Sequence, residues 1–199
     1  MDRIIYLIRH GKTLGCEEKR YIGITDLPLS NEGINQARFL KEYFASINIE
    51  KMYLSPLIRC VQTSDIISED RDIKKIIVND LKEVHMGNWE GKTFTYIKEK
   101  YPVLYEKRGK HIDMFKPPGG ESFYELQNRV MPAFENILRT TTGNVVIIAH
   151  AGVNRVILSN LLNFSLNRIF NVHQPYGCIN KIIWDKLHER WQCETIDNM

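Results

Sequence analysis

The chain has 199 residues, 43% of them hydrophobic, and 27 Lys and Arg against 24 Asp and Glu, for a formal net charge of +3. That is ample apolar material for one core, while the basic residues are too few and too scattered for a nucleic-acid partner. The apolar run after Met1, Ile4 to Ile8, is cut by Arg9 and is too short for a secretory core or a membrane span, so a cytoplasmic protein with no membrane partner is expected.

The first predicted element is a strand over Ile4 to Ile8, and in the stretch LIRHGKT it runs straight into Arg9, His10 and Gly11. A buried strand ending on a charge and a titratable ring needs a reason, because such groups resist desolvation. A helix is predicted from Ser30 to Phe44, with Ser30 as N-cap and Ile34, Ala37, Leu40, Tyr43 and Phe44 on one face. A strand over Met52 to Leu54 leads into Ser55-Pro56 and a second helix, with the proline at its first position and Arg59 one turn in. A strand over Ile76 to Val78 precedes LKEVHMGNWEG, which offers Glu83, His85 and Glu90.

The stretch 87–121 breaks the strand and helix rhythm, and it reads as a lid inserted over a single domain spanning 1–199. It carries Trp89, Tyr96, Tyr101, Tyr105 and Phe115, and the basic run Lys107-Arg108-Gly109-Lys110-His111, for which a solvated surface is the default. A third helix is predicted from Ser122 to Arg139, bent at Pro132. The strand Val145 to Ala149 then runs into His150-Ala151-Gly152, repeating the design of the first strand, and a last strand covers Ile179 to Trp184. This alternation predicts a three-layer α/β/α fold with a mostly parallel central sheet.

Ligands of open parallel sheets gather at the carboxyl ends of strands. A single histidine there is ordinarily structural, but two of them, each followed by glycine and joined by Arg9 and Arg59, suit a phosphate, whose oxygens guanidinium groups bind in pairs. The four cysteines, Cys16, Cys60, Cys178 and Cys193, have no metal-ligand spacing and read as reduced structural thiols. Cys16 alone, close after His10, sits where a positive field would activate it. No metal site and no cofactor are predicted.

LIRHGKT, YIGITDLPLSNEGINQA, SPLIRCVQT, LKEVHMGNWEG, PPGGES and VVIIAHAGVNRVIL, in that order, resemble the histidine phosphatase superfamily, with its phosphoglycerate-mutase-like fold. The resemblance covers nearly the whole chain. It implies that His10 becomes phosphorylated, that Arg9, Arg59 and His150 complete the phosphate pocket with His150 donating a hydrogen bond, and that Glu83 protonates the leaving oxygen. Thr13, Gly23 and Ala151 are implied as pocket neighbours, the last through its backbone amide. Many members have glutamate where Lys12 stands and asparagine where Cys16 stands, which leaves that phosphate contact open here.

GNWEG and PGGES look like the phosphatase branch, and HQPYGCINKI looks like alpha-ribazole phosphatases, with lid aromatics available to stack on a flat base. The expected activity is therefore a metal-independent phosphomonoesterase acting on a small phosphate ester, with alpha-ribazole 5'-phosphate as the specific reading. Broad sugar-phosphate or phosphoserine hydrolysis, phosphoglycerate mutase activity, and an inactive phosphate-binding regulatory module stay open, as do monomer and homodimer.

Overall fold

The structure, a computed structural model, describes residues 3–15 and 18–197; the expectation for Cys16 lies outside the described residues. Six strands form one sheet: β1 (Ile4–Arg9), β2 (Lys51–Leu54), β3 (Lys75–Ile77), β4 (Val145–Ala149), β5 (Ile179–Asp185) and β6 (Arg190–Ile196), in the order β3-β2-β4-β1-β5-β6. The pairings β3 with β2, β2 with β4 and β4 with β1 are parallel, while β5 and β6 add an antiparallel hairpin at one edge. Three of the five pairings are parallel, so the mostly parallel expectation holds, with the antiparallel pairings confined to the β5 and β6 side of β1.

The two faces of the sheet are covered differently. Tyr6, Ile8, Met52, Leu54, Val146 and Ile148 pack against Leu40 and Phe44 of α1 (Asn31–Phe44) and Cys60 and Ile67 of α2 (Ile58–Ile67). Ile5, Leu7, Val145 and Ile147 face the opposite way, against α5 (Phe123–Arg139) and α6 (Ala151–Leu161). That is the three-layer arrangement, and it follows from the period of two along each strand, which sends alternate apolar side chains to opposite faces. β4 is buried along its whole length, as a central parallel strand must be.

Local signals explain most boundaries. Ser30 caps α1 by accepting from the Gly33 amide at 3.1 Å, and Ser122 with Glu125 forms a reciprocal capping box at the start of α5. The second helix departs from expectation. It starts at Ile58, not at Pro56, because Ile58 donates its amide to Asp26 Oδ1 at 2.7 Å while Ser55 stays in line with β2. Arg59 thus lies in the first turn of α2.

The stretch 87–121 is more regular than its composition suggests. It contains α3 (Phe94–Lys100), capped by Thr93, and α4 (Pro102–Lys110), which starts on a proline. Its Trp89, Ile97, Ile112 and Phe115 are buried in the same apolar cluster as α5 and α6, so it is anchored to that face of the sheet.

Candidate active site

Register sets the centre of the site. Arg9 of β1 lies opposite Ala149 of the parallel strand β4, so the next residues, His10 and His150, leave the sheet side by side. Their ring centroids are 5.0 Å apart, with His10 5% exposed and His150 fully buried. On the far side of β4, Leu54 pairs with Ile148, which brings Ser55 up against His150.

The two rings are held in different ways. His10 Nδ1 lies 2.7 Å from the Gly11 carbonyl oxygen. A carbonyl only accepts, so Nδ1 carries the proton and Nε2 presents its lone pair. Burial, and then the charges of Arg59 and Arg9, push the His10 pKa well below the usual 6.5, against a smaller opposing effect of the Gly11 carbonyl. The ring is neutral at physiological pH.

His150 Nδ1 accepts from Arg59 Nε at 3.2 Å, which leaves the proton on Nε2 to be donated to Ser55 Oγ at 2.8 Å. Burial first, then Arg59, His10 and Arg9, keep this ring neutral as well. Both of its nitrogens are therefore engaged by protein groups. The expected hydrogen bond from His150 to a phosphate is not part of this arrangement, because Ser55 takes the only N–H of the ring.

Arg59 is 1% exposed. Besides His150 it donates through Nη1 to the Thr25 carbonyl and through Nη2 to the Gly23 carbonyl, each at 2.7 Å, leaving one N–H on each terminal nitrogen for a ligand. Arg9 lies flat over the Tyr176 ring, 3.6 Å from its centroid, and donates Nη1 to the Gln174 carbonyl. Its Nε is buried with no partner among the described residues.

Glu83 is 8% exposed, and its carboxylate is fixed by two backbone amides, Val84 to Oε1 at 2.9 Å and Gly152 to Oε2 at 3.0 Å. Gly152 follows the His150 strand end by two positions, so one turn of chain joins the two groups. A Cβ on Gly152 would stand 2.4 Å from Glu83 Oε1, so this approach requires glycine. Ala151 opens α6, where its amide lies outside the helical ladder.

Two expected neighbours play a supporting part. Gly23 donates its amide to Glu90 Oε2 at 3.1 Å and its carbonyl accepts from Arg59, so it positions the arginine and does not offer its amide to a ligand. Thr13 is buried in the loop after His10 and bridges to Leu29. Lys12 is paired with Glu32 at 2.6 Å.

Glu90 accepts from Gly23, Ile24, Met86 and the Thr25 hydroxyl. Burial works to raise its pKa, but these four hydrogen bonds prevail and hold it below the ordinary carboxylate value. Its task is to fix the loop whose carbonyls aim Arg59. His85 accepts the Gly87 amide at 2.7 Å and is likewise structural.

Sequence reasoning missed several contributors. Ser55 fixes the His150 tautomer, Thr63 Oγ1 accepts the Gly11 amide at 3.2 Å, and Tyr176 supports Arg9. Arg155, one turn into α6, is pressed by burial and by the charge of Arg9, with Glu83 acting in the opposite sense, so it lies within electrostatic reach of both, and it donates Nε to the Val172 carbonyl at 3.0 Å. Its only signal was its spacing from His150. A cavity of about 540 Å³ lined by Asn79, Lys82, His85, Lys116 and Arg129 among others does not include His10 or His150. Its charges are largely paired, Arg129 with Glu121 and Lys116 with Glu125. Among the described residues, no group of three or more His, Cys, Asp and Glu is placed to hold a metal ion, and no helix is long and apolar enough to cross a membrane.

The chain is similar in sequence and fold to known phosphatases. Phosphoserine phosphatase 1 of Hydrogenobacter thermophilus is 28% identical over 177 residues, covering 88% of this chain and 82% of its own length. The adenosylcobalamin/alpha-ribazole phosphatase of Salmonella typhimurium is 25% identical over 179 residues, 89% of each chain. The solved structure of Bacillus stearothermophilus YhfR superposes with a TM-score of 0.89 at 25% identity, over 99% of this chain and 98% of that one. Residues 5–198 match the model of the histidine phosphatase superfamily (branch 1), so the chain belongs to that superfamily and is a phosphatase-class enzyme.

Proposed function

We propose that the chain hydrolyses a small phosphate monoester through a phosphohistidine on His10. The observation that carries this is the buried, neutral His10 ring, whose proton is held on Nδ1 by Gly11 and whose Nε2 is left with its lone pair in the field of Arg59 and Arg9. Nε2 attacks phosphorus as the ester P–O bond breaks. The free N–H groups of Arg59 and those of Arg9 bind the equatorial oxygens, where charge gathers in the transition state. Glu83 gives a proton to the departing alkoxide. It then takes one from the water that cleaves the N–P bond, releasing phosphate and restoring His10. Ala151 contributes its amide, Thr13 and Gly23 support the loops, and His150 keeps Arg59 aimed. The reaction needs no metal, and the cytoplasm is its proposed place, with no membrane or nucleic-acid partner.

Two finer readings divide at the leaving group. Alpha-ribazole 5'-phosphate, supported by the Salmonella relative, would leave a neutral alcohol carrying a flat base. Trp89 and Phe115, two aromatics that could have stacked on that base, are instead 1% and 7% exposed and pack on each other, with Trp89 also against Tyr21. Phosphoserine, supported by the Hydrogenobacter relative, would leave an alcohol bearing a carboxylate, and Arg108 of α4, which has no carboxylate partner among the described residues and lies over the Tyr21 and Phe170 rings, favours it. The test of the common reading is turnover of p-nitrophenyl phosphate with chelator present. Wild type is expected to hydrolyse it and His10→Ala to be inactive; equal turnover by both would overturn the proposal.

A further inference from the structure

Arg108 of α4 is the one member of the basic run that is not simply solvated. Lys107 and Lys110 are exposed, and Lys110 pairs with Glu106 at 2.5 Å. Arg108 instead turns inward, its guanidinium carbon 5.3 Å from the centre of the Tyr21 ring and 5.4 Å from that of Phe170. Among the described residues it has no hydrogen bond and no carboxylate partner. Burial works against its charge, only partly offset by Tyr21 and Tyr105. A half-buried cation with no counter-anion among the described residues is free to offer its N–H groups to an anion brought by a ligand.

Arg155 reaches the same Phe170 ring, 5.3 Å from its centre, so the two guanidinium groups are at most about 11 Å apart. Phe170 also meets Phe123 edge-on at 5.9 Å, and Phe123 borders Gly152, the residue whose amide holds Glu83. Arg108 and Arg155 therefore flank the side of the pocket where Glu83 meets the leaving oxygen. The hydroxyl of Tyr21, a residue only 3% exposed whose ring Arg108 faces, is a second orphan, buried without a hydrogen-bond partner among the described residues.

Resting on the phosphatase reading of this pocket, we propose that Arg108 and Arg155 form a subsite for a carboxylate on the leaving half of the substrate. The preferred esters are then those of hydroxy acids and hydroxy amino acids, and α4 takes part in substrate selection. An arginine pair is suited to this because each guanidinium can grip both oxygens of a carboxylate.

The test compares O-phosphoserine with O-phosphoethanolamine, which differ only by the carboxylate. Wild type is expected to favour phosphoserine in kcat/KM by about tenfold to a hundredfold, the range for one charge-assisted hydrogen bond. In Arg108→Met that ratio should collapse toward one, chiefly through KM, and Arg108→Lys should recover part of it. Equal wild-type efficiencies, or a ratio unchanged in Arg108→Met, would overturn the subsite. Calorimetric binding of both esters to His10→Ala separates the two proposals. Preferential binding of phosphoserine in a chain whose wild type hydrolyses no ester would keep the subsite and sink the phosphatase reading; p-nitrophenyl phosphate turnover with no preference would do the reverse.

Discussion

The ends of β1 and β4 are near copies in sequence, each an apolar run closed by histidine with a glycine just after, yet they do different work. At β1 the backbone turns so that the Gly11 carbonyl takes the Nδ1 proton and His10 Nε2 is left open. At β4 the chain enters α6 at once, and His150 is clamped between Arg59 and Ser55. Strand pairing places the rings 5.0 Å apart, and on the proposed mechanism the second partner of each ring decides which is nucleophile and which is scaffold.

Substitutions can break this division. His10→Ala should lower kcat by about 10⁴ or more, since among the described residues no other imidazole in the pocket has a free ring nitrogen. Glu83→Gln should lower kcat by ~10²–10⁴ for alkyl phosphates, and far less for p-nitrophenyl phosphate, whose leaving group needs no proton. His150→Gln should cost about 10²-fold while still permitting phosphorylation of His10, because it disturbs the aim of Arg59 and not the attacking atom. Ser55→Ala should reduce activity by only about fivefold, the equivalent of one buried hydrogen bond that no longer fixes the tautomer. If His150→Gln proved as severe as His10→Ala and also abolished labelling, the division of roles would be wrong.

The smallest effect is on stability. Both rings have folded pKa values well below 6.5. As pH falls below about 6.5 the unfolded chain takes up protons that the folded chain refuses, so stability declines, by up to ~1.4 kcal/mol per pH unit for each ring, until the folded values are reached. Urea unfolding between pH 7 and 5.5 should show this decline, and His10→Ala should reduce its slope. A midpoint that does not move over that interval would contradict neutral burial of the pair.

What the sequence showed and what it hid have physical causes. Runs such as VVIIA and the Ser30 and Ser122 caps are local signals, and they placed five strands and the main helices to within a few residues. β6 was missed because Trp191, Cys193 and Thr195 alternate with the polar Arg190, Gln192 and Glu194 in a strand that stays half exposed at the sheet edge. His10, His150, Arg9 and Arg59 were legible as candidates because strand ends converge by topology, whereas Glu83, in a loop, was reached only through the family resemblance. The role of Glu90 was not legible, since it depends on four donors from two loops. Arg108 looked like part of a solvated run because its neighbours are. Only the packing of α4 against Phe170 sets it apart.

The central claim is that His10 alone carries the phosphoryl group. The direct measurement is rapid acid-free quenching during turnover of a phosphorus-32 ester, followed by mapping of the labelled peptide. The account predicts an acid-labile, alkali-stable phosphate on His10 and none on His150. Label on His150 or on any other side chain, or an unlabelled protein in the midst of turnover, would contradict it.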